Sequence, residues 1–263
     1  MDLSDAFALL ALTPSALVVP RYLRARADRR QRNIFSRWPI PSVSLTALDA
    51  IFQSGPLGAS IETEVHFVGG AGAVRIPGAT SDTEAWILSV LAKRAHLMFE
   101  FGTCTGRTAY LWARNSPSNA RVVTITLRRE DVTAYRRASG DNDNDVQHAL
   151  DESAFDSFLY TNTCVADKVQ QLFGDSKGLD ESPWAAQCDL VFVDGSHAKS
   201  YVASDSAKAL RLVRPGGVVL WHDYRGPRAA PGVYDALNEL ALQLPLVHIA
   251  GTSFVVYRRP LES

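Results

Sequence analysis

Cysteine is scarce in this chain. Cys104, Cys164 and Cys188 are three residues among 263, with none of the close pairs that a zinc site or a disulfide framework needs. Free thiols in a reducing compartment are the expectation, hence a cytoplasmic protein. An excess of either charge is missing too: 27 lysines and arginines face 28 aspartates and glutamates. No long-range field therefore favours nucleic acid as a partner. Long apolar runs are missing as well. The stretch from Ala6 to Val19 is interrupted by Pro14 and is too short to span a bilayer, and Asp2 and Asp5 stand where a signal peptide carries positive charge. No repeat period is visible, which argues against a solenoid.

Hydrophobic residues make up 46% of the chain, enough for one large core with an extension. Residues 1–80 read as that extension. An apolar helix is followed by an arginine run (Arg21, Arg24, Arg26, Arg29, Arg30, Arg32) and an irregular stretch broken by Pro39, Pro41 and Pro56. The basic run suits a solvated helix face or a subunit contact in a homo-oligomer, and alternatively a peripheral contact with anionic lipid. The extension as a whole could also cover an acceptor site.

Residues 81–263 are regular. Ser81-Asp-Thr-Glu84 is a capping-box arrangement that opens an apolar helix. Apolar, β-branched runs follow at Leu97 to Phe101, Arg121 to Leu127, Val169 to Phe173, Asp189 to Val193, Val218 to Trp221, Leu246 to Ile249 and Phe254 to Tyr257. Helical patterns lie between most of them, among them Thr108 to Arg114 and Ala198 to Val213. Alternating strands and helices predict an α/β fold: a Rossmann-like, seven-stranded, mostly parallel sheet with helices on both faces. The turn Gly251-Thr-Ser253 predicts an antiparallel hairpin at its end. Arg214-Pro-Gly-Gly217 reads as a breaker after the Ala198 helix. Asp141-Asn-Asp-Asn-Asp145 reads as a solvated loop, or as a mobile lid.

Three segments carry chemistry. Glu100-Phe-Gly102-Thr-Cys-Thr-Gly106 sits where a strand ends and a helix begins, so small residues and helix N-terminal amides can meet an anionic group. Its spacing differs from the three-glycine dinucleotide fingerprint and suits a cofactor with an amino-acid carboxylate. Cys188-Asp-Leu-Val-Phe-Val-Asp194-Gly-Ser-His197 and Pro215-Gly-Gly-Val-Val-Leu-Trp-His222-Asp223-Tyr224 each bring acids and histidines to a strand's carboxyl end, the ligand-binding edge of open α/β sheets.

With Gly174-Asp175-Ser176, these segments in this order resemble the class I S-adenosylmethionine-dependent methyltransferases, most closely a bacterial subgroup acting on small molecules and sugars. The resemblance covers about Ser81 to Arg259. It implies that Glu100, Gly102 and Gly106 shape the site for the methionine half, with Thr103, Thr105 and Thr108 offering amides or hydroxyls. Asp175 and Ser176 then lie at the adenine edge, and Asp194 also borders the cofactor. Thr126 departs from the pattern, standing where the family carries an acid for the ribose hydroxyls; a threonine offers no bidentate carboxylate.

The implied reaction is O-methylation of a small hydroxylated metabolite or sugar, a small-molecule methyl acceptor. It needs alignment and removal of a proton. His197 is the first candidate for general base and His222 the second, with Asp194 beside them. A locally bonded or packed histidine is the alternative for each. Asp194, His222 and Asp223 are candidate ligands for magnesium, which would lower the acceptor's pKa; Asp194 could equally cap the following helix. Trp184 and Tyr224 are candidates for the acceptor pocket or for the core. Two other readings stand beside the methyltransferase: a non-catalytic or degenerate cofactor-binding scaffold, which Thr126 favours, and an NAD-dependent oxidoreductase.

Overall fold

The computed structural model describes residues 39–261, apart from 56, 57, 60, 68, 69, 72, 73 and 79. The expected apolar N-terminal helix and the arginine run lie outside the described residues. The compact unit that holds the sheet begins at Ser42.

A single sheet organises that unit. Its strands are β1 (Ser42–Val43), β2 (Leu97–Phe101), β3 (Arg121–Thr126), β4 (Val169–Phe173), β5 (Cys188–Val193), β6 (Val213–Trp221), β7 (Val247–Ile249) and β8 (Val255–Arg258). They lie in the order β1-β7-β8-β6-β5-β2-β3-β4. Seven of the eight are the runs read from the sequence. The eighth, β1, is a two-residue edge strand from before Ser81 that pairs parallel with β7. Strands β4, β3, β2, β5 and β6 are parallel, and β8 runs antiparallel to both β6 and β7, the expected C-terminal hairpin.

Side chains alternate across the strands and build a core on each face. Met98, Val122, Leu190, Phe192, Val218 and Leu220 pack in one cluster with residues of helices α1 (Asp82–Ala92) and α2 (Arg107–Asn115). The intervening strand residues, among them Val191 and Trp221, face the other way. There the helix α4 (Lys199–Leu212) packs on β5 and β6, and the Trp221 indole N–H donates to Ser206 Oγ at 2.8 Å. Helix α5 (Pro231–Leu240) packs on α4. Helix α1 starts on the expected capping box: Ser81 Oγ accepts from Glu84 N at 3.3 Å and Glu84 Oε2 from Ser81 N at 2.9 Å. No helix among the described residues is long and apolar enough to cross a membrane.

Two expectations need correction. Arg214-Pro-Gly-Gly217 does not separate helix from strand, because β6 already begins at Val213; the register shifts between Val213 and Val218 and Gly216 takes φ +78°. The four residues are thus a bulge inside the strand, where proline's missing donor is tolerated. The acidic stretch at 141–145 is not a loop throughout: Asn142, Asp143 and Asn144 are exposed, but Asp141 and Asp145 are buried and the helix has already begun at Asp143. Asn142 caps helix α3 (Asp143–Glu152), and Asp141 accepts from Ala138 N, Ser200 N and Ser200 Oγ at 2.8, 3.1 and 2.6 Å.

Chain direction reverses at β2. From β2 the chain moves outward through β3 and β4, then returns to the other side of β2 for β5 and β6. The carboxyl ends of β2 and β5 therefore flank a topological switch point, where the outgoing loops part and leave a crevice.

Candidate active site

Gly102 ends β2 with φ +98°, and a Cβ there would stand 2.1 Å from the Asp194 carbonyl oxygen. The two loop backbones touch, so only glycine fits. Cys104 follows at φ 43°, a left-handed backbone that non-glycine residues rarely adopt. The crevice beside this turn has about 550 Å³ of open space, its mouth included. Its wall runs from Gly102 and Cys104 past Thr126 to Asp175 and Ser176, and returns along Asp194, Gly195 and Ser196.

Asp194 connects the crevice to a buried ionic cluster. Its Oδ1 lies 2.7 Å from His222 Nδ1, and His222 Nε2 faces Glu84 Oε2 at 3.5 Å. Asp223 Oδ2 lies 3.4 Å from His222 Nδ1 and 2.6 Å from His197 Nε2, while Arg225 Nη2 reaches Asp223 Oδ1 at 2.5 Å. Burial works against the charged form of every member, and the partners decide the outcome. His222 keeps its proton well above the usual range because Asp194 and Asp223 outweigh its desolvation. Asp223 is held well below the carboxylate range, burial being overcome by His222 and His197. His197 is raised, desolvation being overcome by its bond to Asp223. Asp194 stays raised, its burial exceeding the pull of His222.

Asp194, His222 and Asp223 also present one donor atom each, all within 4.8 Å of one another. Two carboxylates and an imidazole suit a divalent cation. Glu84 stands against the other ring nitrogen of His222, as carboxylates behind metal-bound histidines do. Asp223 Oδ1 is held by the Arg225 ion pair, which leaves Oδ2 on the side of the two histidines. The residues present therefore fit a metal.

The residues picked from sequence divide between the crevice, the cluster and the layer beneath. Gly102, Thr126, Asp175, Ser176 and Asp194 line the crevice; His197, His222 and Asp223 adjoin it. Glu100 and Thr103 are buried under the turn, Thr103 Oγ1 bonding Thr124 Oγ1 at 2.7 Å. Thr108 is buried and faces Glu100. Thr105 accepts from Leu159 N through its carbonyl at 2.9 Å. Gly106 is the N-cap of α2, at φ +77°. Neither aromatic candidate is among the residues that line the crevice: Tyr224 is fully buried against Tyr234, and Trp184 packs edge-on against Phe99.

Helix α3 supplies what the sequence reading missed. Asp145, His148 and Glu152 share one helical face. The His148 ring packs 4.5 Å from that of His197, Asp145 feels the charge of His197, and Glu152 lines the crevice. Burial, with Asp194 next, pushes the Glu152 carboxyl up to about 7. The readable signal was an asparagine cap before an acidic first turn, with acid, histidine and acid at i, i+3 and i+7.

Residues 99–224 match the family model described as a methyltransferase domain. No curated protein matches the chain. Among solved structures, the S-adenosylhomocysteine-bound methyltransferase of Podospora anserina superposes with a TM-score of 0.50 at 18% identity, over 72% of this chain and 83% of that one. The O-methyltransferase of tomaymycin synthesis from Streptomyces achromogenes, in complex with S-adenosylmethionine, gives 0.48 at 21% identity over 71% and 83%. Over residues 99–224, a little under half of its length, the chain is thus similar to a methyltransferase domain. That similarity favours methyl transfer over the nicotinamide oxidoreductase.

Proposed function

We propose that the protein transfers the methyl group of S-adenosylmethionine to a hydroxyl oxygen of a small metabolite or sugar. The observation that carries this reading is continuity: the crevice beside the Gly102 turn shares Asp194 with the cluster of His222, Asp223 and His197. A sulfonium cofactor in the first faces proton-handling groups in the second. The backbone at 102–106 receives the methionine half, Thr126 borders the ribose, and Asp175 and Ser176 border the adenine.

Displacement at the methyl carbon needs the acceptor oxygen in line with the departing sulfur and stripped of its proton. His197 is the base in this reading. With Nε2–H on Asp223 at 2.6 Å, its Nδ1 carries the lone pair, and Asp223 fixes the ring and stabilises the charge it acquires. His222, walled in by Asp194, Asp223 and Glu84, is a poor base and serves as a fixed partner of the two aspartates. A divalent cation held by Asp194, His222 and Asp223 would polarise the acceptor oxygen. Cytoplasmic location and a homo-oligomer belong to the same reading.

The test is binding followed by transfer. S-adenosylhomocysteine should raise the melting temperature and NAD should not, since a ligand that binds only the folded state stabilises it. Methyl-labelled cofactor incubated with a panel of polyols, phenols and sugars should then yield labelled methyl ethers. Stabilisation without transfer to any hydroxyl compound would favour the scaffold reading that Thr126 suggests; no stabilisation would remove the cofactor assignment.

A further inference from the structure

The opposite rim of the sheet carries a second cavity. Strands β5 and β6 deliver Asp194, His222 and Asp223 at their carboxyl ends, whereas their amino ends, with the β6 bulge and the end of α1, enclose about 590 Å³ of open space, its mouth included. Asp189, near the start of β5, stands five residues before Asp194, about 17 Å along an extended strand. The two cavities share no lining residue, so this one lies apart from the site built on Asp194.

Its wall sets three arginines, Arg94, Arg214 and Arg258, against two acids, Asp49 and Asp189. The acids are already committed. Asp189 Oδ1 accepts from Arg214 Nε at 2.6 Å, and its Oδ2 accepts from the amides of His96 and Leu97 at 2.6 and 3.0 Å. Asp49 Oδ1 accepts from Ile51 N at 2.9 Å, and its Oδ2 pairs with Arg258 Nη2. The arginines keep donors in reserve. Arg214 spends Nε on Asp189 and Nη1 on the Pro215 carbonyl, and Arg258 spends Nη1 on the Gly216 carbonyl and Nη2 on Asp49. The Arg94 guanidinium makes no hydrogen bond or ion pair among the described residues. Since each guanidinium carries five N–H donors, the wall has donors to spare and one uncompensated positive charge.

The buried side chains of Ile51, Leu91 and Val218 complete the wall. A ligand that satisfies it needs an oxyanion for the guanidinium forks and an apolar body. One surplus positive charge matches the single charge of a carboxylate. A phosphate monoester, close to doubly charged at neutral pH, would leave the cavity negative.

We propose that this cavity binds a small organic carboxylate, its oxygens on Arg94, Arg214 and Arg258 and its apolar part on Ile51, Leu91 and Val218. It is a second ligand site, at the far ends of the two strands that carry Asp194, His222 and Asp223, and it does not depend on the cofactor reading.

The experiment is titration of the full chain with sodium benzoate, followed by amide NMR, with benzyl alcohol and phenyl phosphate compared at matched ionic strength. Benzoate should bind saturably and move the amides of Gly216 and Gly217, which line the cavity, while those of Gly102 and Gly106 stay in place. Benzyl alcohol, the same ring without the charge, should not bind, and phenyl phosphate should bind more weakly than benzoate. Arg94→Ala removes an exposed side chain and should keep the fold while weakening benzoate at least about tenfold, the worth of one charge-assisted hydrogen bond. Absence of saturable binding, shifts at Gly102 without shifts at Gly216, or equal affinity in Arg94→Ala would overturn the site. Tighter binding of phenyl phosphate, or equal binding of benzyl alcohol, would overturn its selectivity for a carboxylate. A chain that binds S-adenosylhomocysteine but not benzoate loses this site alone, and one that binds benzoate but not S-adenosylhomocysteine keeps it and loses the cofactor reading.

Discussion

Thr124 on β3 donates a 2.6 Å hydrogen bond to Glu100, its registered partner on β2. The bond closes a buried chain in which Gln171 Nε2 donates to Thr103 Oγ1 at 3.1 Å and Thr103 bonds Thr124 at 2.7 Å. Glu100 is 1% exposed. Burial pushes its carboxyl up to about 8, against the lowering pull of Thr124 and with Asp194 adding to the rise. The folded protein therefore keeps a proton that the unfolded chain releases near its ordinary value of 4.5. Stability associated with Glu100 is present below that value and is lost as pH climbs to about 8, at up to about 1.4 kcal/mol per pH unit. Urea midpoints measured from pH 5 to 8 should fall more steeply for the wild type than for Glu100→Gln. Parallel slopes would mean that Glu100 is ionised in the fold.

The contact between the Gly102 turn and the Asp194 carbonyl makes a second prediction. Gly102→Ala meets both a positive φ and a backbone atom at 2.1 Å, and should cost on the order of 2–3 kcal/mol. Gly140 has a similar φ of +101° with nothing within 4 Å of a built Cβ, so Gly140→Ala should cost only about 1 kcal/mol. Equal losses in denaturant titrations would show that the crevice wall yields at Asp194.

These two glycines also illustrate how far the sequence could be read. The strands were legible because each buried run alternates or is apolar throughout, and the crevice because glycine and acid cluster where strands end. The bulge at Arg214-Pro-Gly-Gly217 was not, since local breaker chemistry competes there with pairing to β5 that is visible only in three dimensions. Helix α3 was hidden by composition: its acids read as solvated, yet Asp141 and Asp145 are 5% and 6% exposed, bonded to residues far along the chain. Glu100 and Thr103 carry a family motif, but the relay they join with Thr124 and Gln171 links three strands and has no sequence signature.

The donor set of Asp194, His222 and Asp223 predicts a cation dependence that can be measured without turnover. Manganese or magnesium at about a hundred times its dissociation constant should stabilise the fold by about 2.7 kcal/mol, a shift of a few degrees in melting temperature. Asp223→Ala should abolish that shift while leaving stabilisation by S-adenosylhomocysteine in place. If neither ion moves the wild-type melting curve, the three residues are an internal ionic cluster, and the acceptor's activation falls to His197 alone.

His197 is the residue on which the chemical reading can fail most cleanly. Its Nε2 is 2.6 Å from Asp223, its ring lies 4.5 Å from that of His148, and it is outside the crevice wall that would hold the cofactor. Removing a general base lowers turnover by about 100- to 10,000-fold and has no reason to disturb a nucleoside bound elsewhere. His197→Ala should therefore lose turnover on that scale with the affinity for S-adenosylhomocysteine within about twofold of wild type, the worth of less than half a kcal/mol. Added imidazole should restore part of the rate by entering the space the ring vacates. A matching loss in binding would make His197 a structural prop for the Asp194 loop, and undiminished turnover would shift the search for the base to Glu152, whose carboxyl is raised to about 7 by burial and lines the crevice itself.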